Sequence, residues 1–151
     1  MDFNCKEFSL NHKASTMKVG TDAILLSSLA PKFEAKSVLD VGCGCGIISL
    51  CMAQTYIEAN ITAIDIDEKS VLEAKNNFLS SKYKDRLQAN LISFQDFSEQ
   101  ETLKEGNNRT FDLIVSNPPY FTSSLTSPND RKTKARHNDS LPLDTFAFCC
   151  K

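Results

Sequence analysis

Four consecutive residues, Asn117-Pro118-Pro119-Tyr120, are the part of this 151-residue sequence whose types and order point most directly to chemistry. Two prolines in a row remove two backbone donors and stiffen the turn, leaving carbonyls free to accept hydrogen bonds. The Asn117 side-chain oxygen and the Pro118 carbonyl then form a rigid acceptor pair. Such a pair suits a planar NH2 group, whose nitrogen is conjugated and a poor nucleophile. Accepting both of its hydrogens favours a tetrahedral nitrogen with its lone pair aimed at an electrophile. Tyr120, with Phe121 beside it, offers a face on which an extruded base stacks, worth about 1–3 kcal/mol per base. No general base or metal is needed before transfer, because the proton can leave afterwards to water. A strand ended by a turn would also explain Asn-Pro-Pro by itself. The element suits adenine, cytosine and glutamine-amide acceptors alike, so it identifies the acceptor chemistry and leaves the polymer open.

A second element is the turn Asp40-Val41-Gly42-Cys43-Gly44-Cys45-Gly46. Its glycines stand where a strand must bend tightly into a helix and a ligand can approach the backbone. A dinucleotide fingerprint would need its third glycine at position 47, which is Ile47. Asp40 just before the turn suits an ammonium group and would repel a pyrophosphate, so a nicotinamide oxidoreductase is disfavoured. Asp65 closes the next strand, where a carboxylate can accept from both hydroxyls of a ribose. Asp67 directly precedes a helical pattern and fits N-capping better. Asp96, just past a third strand, could accept from a purine amino group, with Phe97 packing nearby.

These residues need a frame that brings them to one edge. From residue 37 short β-branched runs alternate with longer amphipathic segments, the pattern of βαβ units and a parallel sheet. The sequence predicts strands over 37–41, 61–65, 87–93 and 111–116, and helices over 46–56, 68–81 and 98–105. In the second helix Val71, Leu72, Ala74, Phe78 and Leu79 are assigned to the buried face, and Glu68, Lys69, Glu73 and Lys75 to solvent. A short helix over 22–30 is expected to be capped by Thr21 or Asp22 and stopped by Pro31. Residues 121–142 are polar and read as a mobile loop. An apolar segment begins at Leu143, and the sequence stops inside what looks like a fifth unit. The expected fold is therefore α/β, a Rossmann-like doubly wound, mostly parallel sheet, apparently truncated after its fourth strand. Residues 1–36 form an N-terminal extension and 37–151 the core.

Composition narrows the class. A net charge of -2 argues against a protein held to nucleic acid by its overall field, although a local patch could still grip one. The start Met1-Asp2-Phe3-Asn4 reads as no signal peptide, and no apolar run approaches the roughly 20 residues of a membrane span. Six cysteines and two histidines, His12 and His137, match no zinc spacing, so reduced cytoplasmic thiols and no metal are expected.

Asp-x-Gly-x-Gly-x-Gly after strand one, an acid after strand two and an aspartate after strand three together resemble the class I S-adenosylmethionine (SAM)-dependent methyltransferases. The resemblance implies that Asp40 contacts the methionine portion of SAM and that the backbone of Gly42, Gly44 and Gly46 follows the cofactor; Asp65, Asp96 and Phe97 are then cofactor-binding candidates on the reading above. The segments 17–26 and 136–143, with the strand around Phe8, further resemble bacterial tRNA adenine-N6 methyltransferases, which modify the adenine beside the anticodon of a valine tRNA. In that family the segment matching 18–22 lies near the active-site mouth, which makes Thr21 and Asp22 site candidates; helix capping is the other role open to them, and Lys18 could be a solvated charge. Arg131, Lys132, Lys134, Arg136 and His137 form a basic cluster suited to phosphates around a splayed nucleotide. The function implied is methyl transfer to an adenine amino group in RNA, most simply tRNA. The alternatives are a glutamine-amide methyltransferase acting on a protein such as a release factor, and a non-catalytic SAM- or RNA-binding module.

Overall fold

A computed structural model describes residues 2–31, 33–102 and 111–118 of the chain. The chain divides into a unit over 1–117 and another over 118–151; of the second, only Pro118 is among the described residues.

Five elements of the first unit build a short N-terminal region and the start of a sheet. β1 (Asp2–Asn4) and β2 (Ser9–Asn11) form an antiparallel hairpin, α1 (Thr21–Ser28) follows, then β3 (Ser37–Val41) and α2 (Ile47–Thr55). The remainder is β4 (Asn60–Asp65), α3 (Glu68–Leu79), a 3-10 turn over Lys84–Arg86, β5 (Leu87–Leu91), α4 (Phe94–Thr102) and β6 (Leu113–Ser116). The four later strands are parallel and lie in the order β5-β4-β3-β6. Successive units step outward from β3 through β4 to β5, and the chain then returns to the other side of β3. That reversal is the topological switch point, where doubly wound sheets leave a crevice beyond the carboxyl ends of their strands.

β3 and β4 are buried almost throughout, as central parallel strands must be when both faces are covered. Leu39, Leu50, Met52, Ile61 and Ile64 are the largest fully buried apolar side chains. Each removes about 1.5–3 kcal/mol of apolar exposure. α2 is apolar over most of its surface because it packs against α1 as well as against the sheet.

The structure revises several expectations. The α1 N-cap is Gly20, with no side-chain cap, rather than Thr21 or Asp22. On α3 the buried face is Ser70, Val71, Glu73, Ala74, Asn77 and Phe78, whereas Leu72 and Leu79 are exposed at 60% and 70%. Glu73 is inside because its carboxylate accepts from the backbone N–H groups of Ala14 and Ser15, both at 2.8 Å, and from Ser15 Oγ. Lys18, expected as a solvated charge, donates to the carbonyls of His12, Lys13 and Ser15 and so holds that loop in shape. β5 stops at Leu91 and α4 starts at Phe94, four residues earlier than the pattern suggested. Ser93 and Asp96 cause the shift: Ser93 Oγ accepts from Asp96 N at 3.1 Å and donates to its carboxylate at 2.7 Å, a reciprocal helix start. The polar segment 121–142 and the apolar run after it lie outside the described residues.

Candidate active site

The glycine turn leaves β3 at Val41 with all three glycines in the left-handed region, at φ 73, 55 and 85 degrees for Gly42, Gly44 and Gly46. They serve two ends. A side chain at Gly42 or Gly44 would meet open space, so these face the crevice; at Gly46 it would run into Phe78 and Ala74, so this one lets the end of the turn lie close against α3. Backbone hydrogen bonds to Ile64 O from Gly42 N (2.9 Å) and Cys43 N (3.1 Å) carry the turn across the end of β4.

Asp65 closes β4 as expected, and its carboxylate is already oriented. One oxygen accepts from Gly44 N at 2.8 Å and the other from Asp67 N at 2.9 Å. Burial raises its pKa, against the pull of those two backbone donors. Asp67 caps α3, accepting from Ser70 N and Ser70 Oγ, and Thr16 Oγ1 donates to it as well. The division of labour between the two acids, ligand side and cap, therefore matches the sequence reading for the cap.

Asp40 lies beneath the turn and is fully buried. Ser49 Oγ on α2 donates to its Oδ2 at 2.6 Å, and its Oδ1 has no partner. Burial pushes its pKa up to about 7; the Ser49 bond opposes this and the charge of Asp65 adds to it. A buried carboxylate oxygen without a donor is costly unless a cationic or protonic partner arrives. The neighbouring thiols are poor candidates for nucleophiles: Cys43 and Cys45 are free and buried, and burial pushes Cys43 well up and Cys45 to about 11.

Across the switch point, β6 pairs with β3 so that Ser116 stands opposite Val41, and Ser116 Oγ donates to Val41 O at 2.8 Å. Asn117 and Gly42 are the next residues on each strand. The acceptor side chain and the glycine turn thus leave adjacent strands at the same level. At the opposite end of the pair, Asp112 accepts from Lys36 N, Ser37 N and Ser37 Oγ, pinning this register. Asn117 Nδ2 donates to Asp22 Oδ2 on α1 at 2.8 Å, and Asp22 and Thr21 line an open groove with Phe3, Val19 and Ile24.

The other candidates fall elsewhere. Asp96 is exposed and occupied in starting α4, and the Phe97 ring lies tilted against Phe111 with centroids 6.1 Å apart. Tyr120, Phe121, Arg131, Lys132, Lys134, Arg136 and His137 lie outside the described residues. Pro118 is half-buried. Sequence reasoning missed Ser49, Asn77 and Ile66. Ser49 and Asn77 are polar residues at buried positions of helices, a signal visible once the buried face is known. Asn77 Nδ2 donates to Cys45 O inside the turn and to Asn11 O. Ile66 is an exposed apolar side chain directly after Asp65. Among the described residues no cluster of three metal-ligating side chains occurs and no helix is long and apolar enough to cross a membrane.

The chain is similar in sequence and in fold to known proteins. The chain is 43% identical over 145 residues to the tRNA1(Val) (adenine(37)-N6)-methyltransferase of Phocaeicola vulgatus, covering 96% of this chain and 58% of that protein. It is 41% identical over 141 residues to the protein of the same name from Shewanella woodyi, covering 93% of the chain and 57% of the relative. The chain thus spans a little over half the length of these relatives. Among solved structures, a SAM-dependent methyltransferase from Agrobacterium tumefaciens superposes with a TM-score of 0.60 at 17% identity, over 81% of this chain and 40% of that one. An O-methyltransferase from Bacillus cereus in complex with SAH does so with a TM-score of 0.58 at 19% identity, over 69% and 47%. Both likenesses are of fold. The model of the methyltransferase small domain matches residues 14–131, from the loop before α1 through β6 and beyond. With that match over most of its length and relatives above 40% identity, the chain belongs to the methyltransferase small domain family.

Proposed function

We propose that the chain is the cofactor-binding and base-activating part of a SAM-dependent methyltransferase that modifies the exocyclic amino group of an adenine in tRNA. The observation that carries this is the register of β6 on β3, which brings Asn117 level with Gly42 at the switch point. The names of the relatives supply the substrate class.

The residues present fit SAM. The open faces of Gly42 and Gly44 leave room for a ligand against the backbone, and the unpartnered Asp40 Oδ1 beneath them suits the ammonium of the methionine portion. Asp65, held by Gly44 N, keeps lone pairs for ribose hydroxyls, and Ile66 beside it offers an apolar face to a purine. When bound, SAM supplies an electrophilic methyl group. Asn117 Oδ1 and the Pro118 carbonyl accept from the two amino hydrogens of the base and turn its lone pair toward that methyl. Thr21 stands at the mouth of the site. Tyr120 and Phe121 stack the extruded base, and Arg131, Lys134, Arg136 and His137 hold neighbouring phosphates. Such an enzyme works in the cytoplasm, and within this chain residues 37–151 belong to its SAM-binding core, with 1–36 as an N-terminal extension.

The test is transfer from methyl-labelled SAM. Label is expected in tRNA, at an adenine, and to fall by at least about 100-fold with Asn117→Ala, comparable to removal of one preorganised oxyanion donor. Label in a release-factor protein instead would make glutamine amide the acceptor. SAM binding without transfer to either would leave a binding module.

A further inference from the structure

Amide side chains present two nearly isosteric faces, one that donates and one that accepts, and chemistry at a planar amine needs the accepting face. Left free, Asn117 could turn Nδ2 toward the base and repel the amino group it should receive. Its Nδ2 instead donates to Asp22 Oδ2 at 2.8 Å, and among the described residues no donor reaches its Oδ1. A carboxylate has only acceptors to offer, so this contact permits one orientation of the amide.

A second observation concerns Gly20. Its backbone is extended, at φ -107 and ψ 165 degrees, a conformation any residue adopts, so the glycine is not there for the chain's path. A Cβ at this position would collide with Asp22 Oδ1. The colliding atom ends a flexible side chain, so a larger residue would displace the carboxylate at little cost to the fold. Gly20 therefore provides the space in which the Asp22 carboxylate sits while its other oxygen reaches Asn117. α1 holds the pair in place: Asp22 lies in its first turn, and α1 packs against α2, whose N-terminus begins at the glycine turn.

We propose that Asp22 is a positioning residue for the methyl-transfer step, locking the Asn117 amide with Oδ1 toward the acceptor amine, and that Gly20 is required for that lock. The inference rests on the proposed function of Asn117 and assigns the segment before the sheet a part in it. It also separates Asp22 from Thr21, its neighbour on the groove.

The experiment compares the full chain with Asp22→Asn, Asp22→Ala and Gly20→Ala. Asparagine keeps the shape of aspartate but can face Asn117 with either end of its amide, so the lock is lost without a cavity. The first readout is the Asn117 side-chain amide in nitrogen–proton correlation spectra, assigned by its disappearance in Asn117→Ala. One of its two protons is expected to be shifted and slow to exchange in the wild type and to become ordinary in all three variants. The second readout is kinetic: kcat is expected to fall about tenfold, the loss of one hydrogen bond to a charged group, with the KM for SAM unchanged within about twofold. Melting temperatures are expected to stay close to wild type. Unaltered Asn117 signals in Asp22→Ala, or an unaltered kcat in Asp22→Asn, would overturn the lock. Gly20→Ala with wild-type signals would remove the glycine's part. If the wild type transfers no methyl group to tRNA, the functional proposal fails, and the spectra still decide whether Asp22 orients Asn117.

Discussion

At the scale of single residues, the site stores its chemistry in groups that fold at a cost. Asp40 is the clearest: with Oδ1 unpartnered and its pKa raised to about 7 by burial, the folded state binds a proton more tightly than the unfolded chain, where the ordinary value is 3.8. Its contribution to stability is therefore fully present below pH about 4 and lost as pH rises from there to about 7. Removing the charge with Asp40→Asn is expected to flatten that part of the pH–stability curve, stabilising the free protein at pH 8 by on the order of 3 kcal/mol while weakening SAM binding. Denaturant titrations at pH 4, 6 and 8 check the first, calorimetry the second. A curve of unchanged slope would mean that Asp40 titrates as an ordinary carboxylate. The glycines divide in the same way. Gly46→Ala is expected to lower stability by about 2–4 kcal/mol because the new methyl meets Phe78 and the backbone is left-handed. Gly44→Ala adds its methyl to open space, so a cost of about 1–2 kcal/mol from the backbone alone is expected, with the larger loss in SAM affinity.

At the scale of elements, α3 does more than cover the sheet. Its buried polar residues fasten the N-terminal region to the glycine turn: Glu73 takes the N–H groups of Ala14 and Ser15, and Asn77 joins Asn11 at both N and O while also donating to Cys45 O. These bonds explain why polar side chains occupy the face that packing alone would give to leucine. Asn77→Leu is expected to destabilise the protein by about 2–4 kcal/mol, since three backbone groups lose their partner together. Hydrogen exchange should show the loss concentrated in β2 and the glycine turn. Uniformly faster exchange across the sheet would instead mean that Asn77 supports the core and not this junction. A further clamp, Arg86, donates to Ala53 O and Tyr56 O at the end of α2 and to Ala59 O just before β4.

At the scale of the whole molecule, the reversal of strand order between β3 and β6 decides where a ligand can bind. A ligand that bridges the ends of β3 and β4 binds only the folded state. Saturating SAM, at about 100 times its Kd, is expected to add about 2.7 kcal/mol of stability and raise the melting temperature, and NAD is expected to do neither. Equal stabilisation by NAD would return the glycine turn to the dinucleotide class that Ile47 argued against. Much of this was legible beforehand. Periodicity and turn residues located the strands, α2 and α3, because a parallel sheet writes its buried strands as short apolar runs and its glycine turn as a spacing. The glycines, Asp65 and the Asn117 that follows β6 pointed to the crevice for the same reason, each lying next to a strand end in sequence, whereas Asp96 is taken up in starting α4. The start of α4, the burial of Glu73 and Asn77, and the partners of Lys18 and Asp22 were not legible. Glu73, Asn77 and Asp22 depend on contacts between residues 32 to 95 positions apart, and Lys18 and the start of α4 on local contacts 3 to 6 positions apart that periodicity does not register. Composition and spacing determined which groups the chain carries and which strand ends present them. Only the tertiary structure decided which way those groups face, because a hydrogen bond such as Asn117 to Asp22 is a choice between two orientations that the sequence leaves equal.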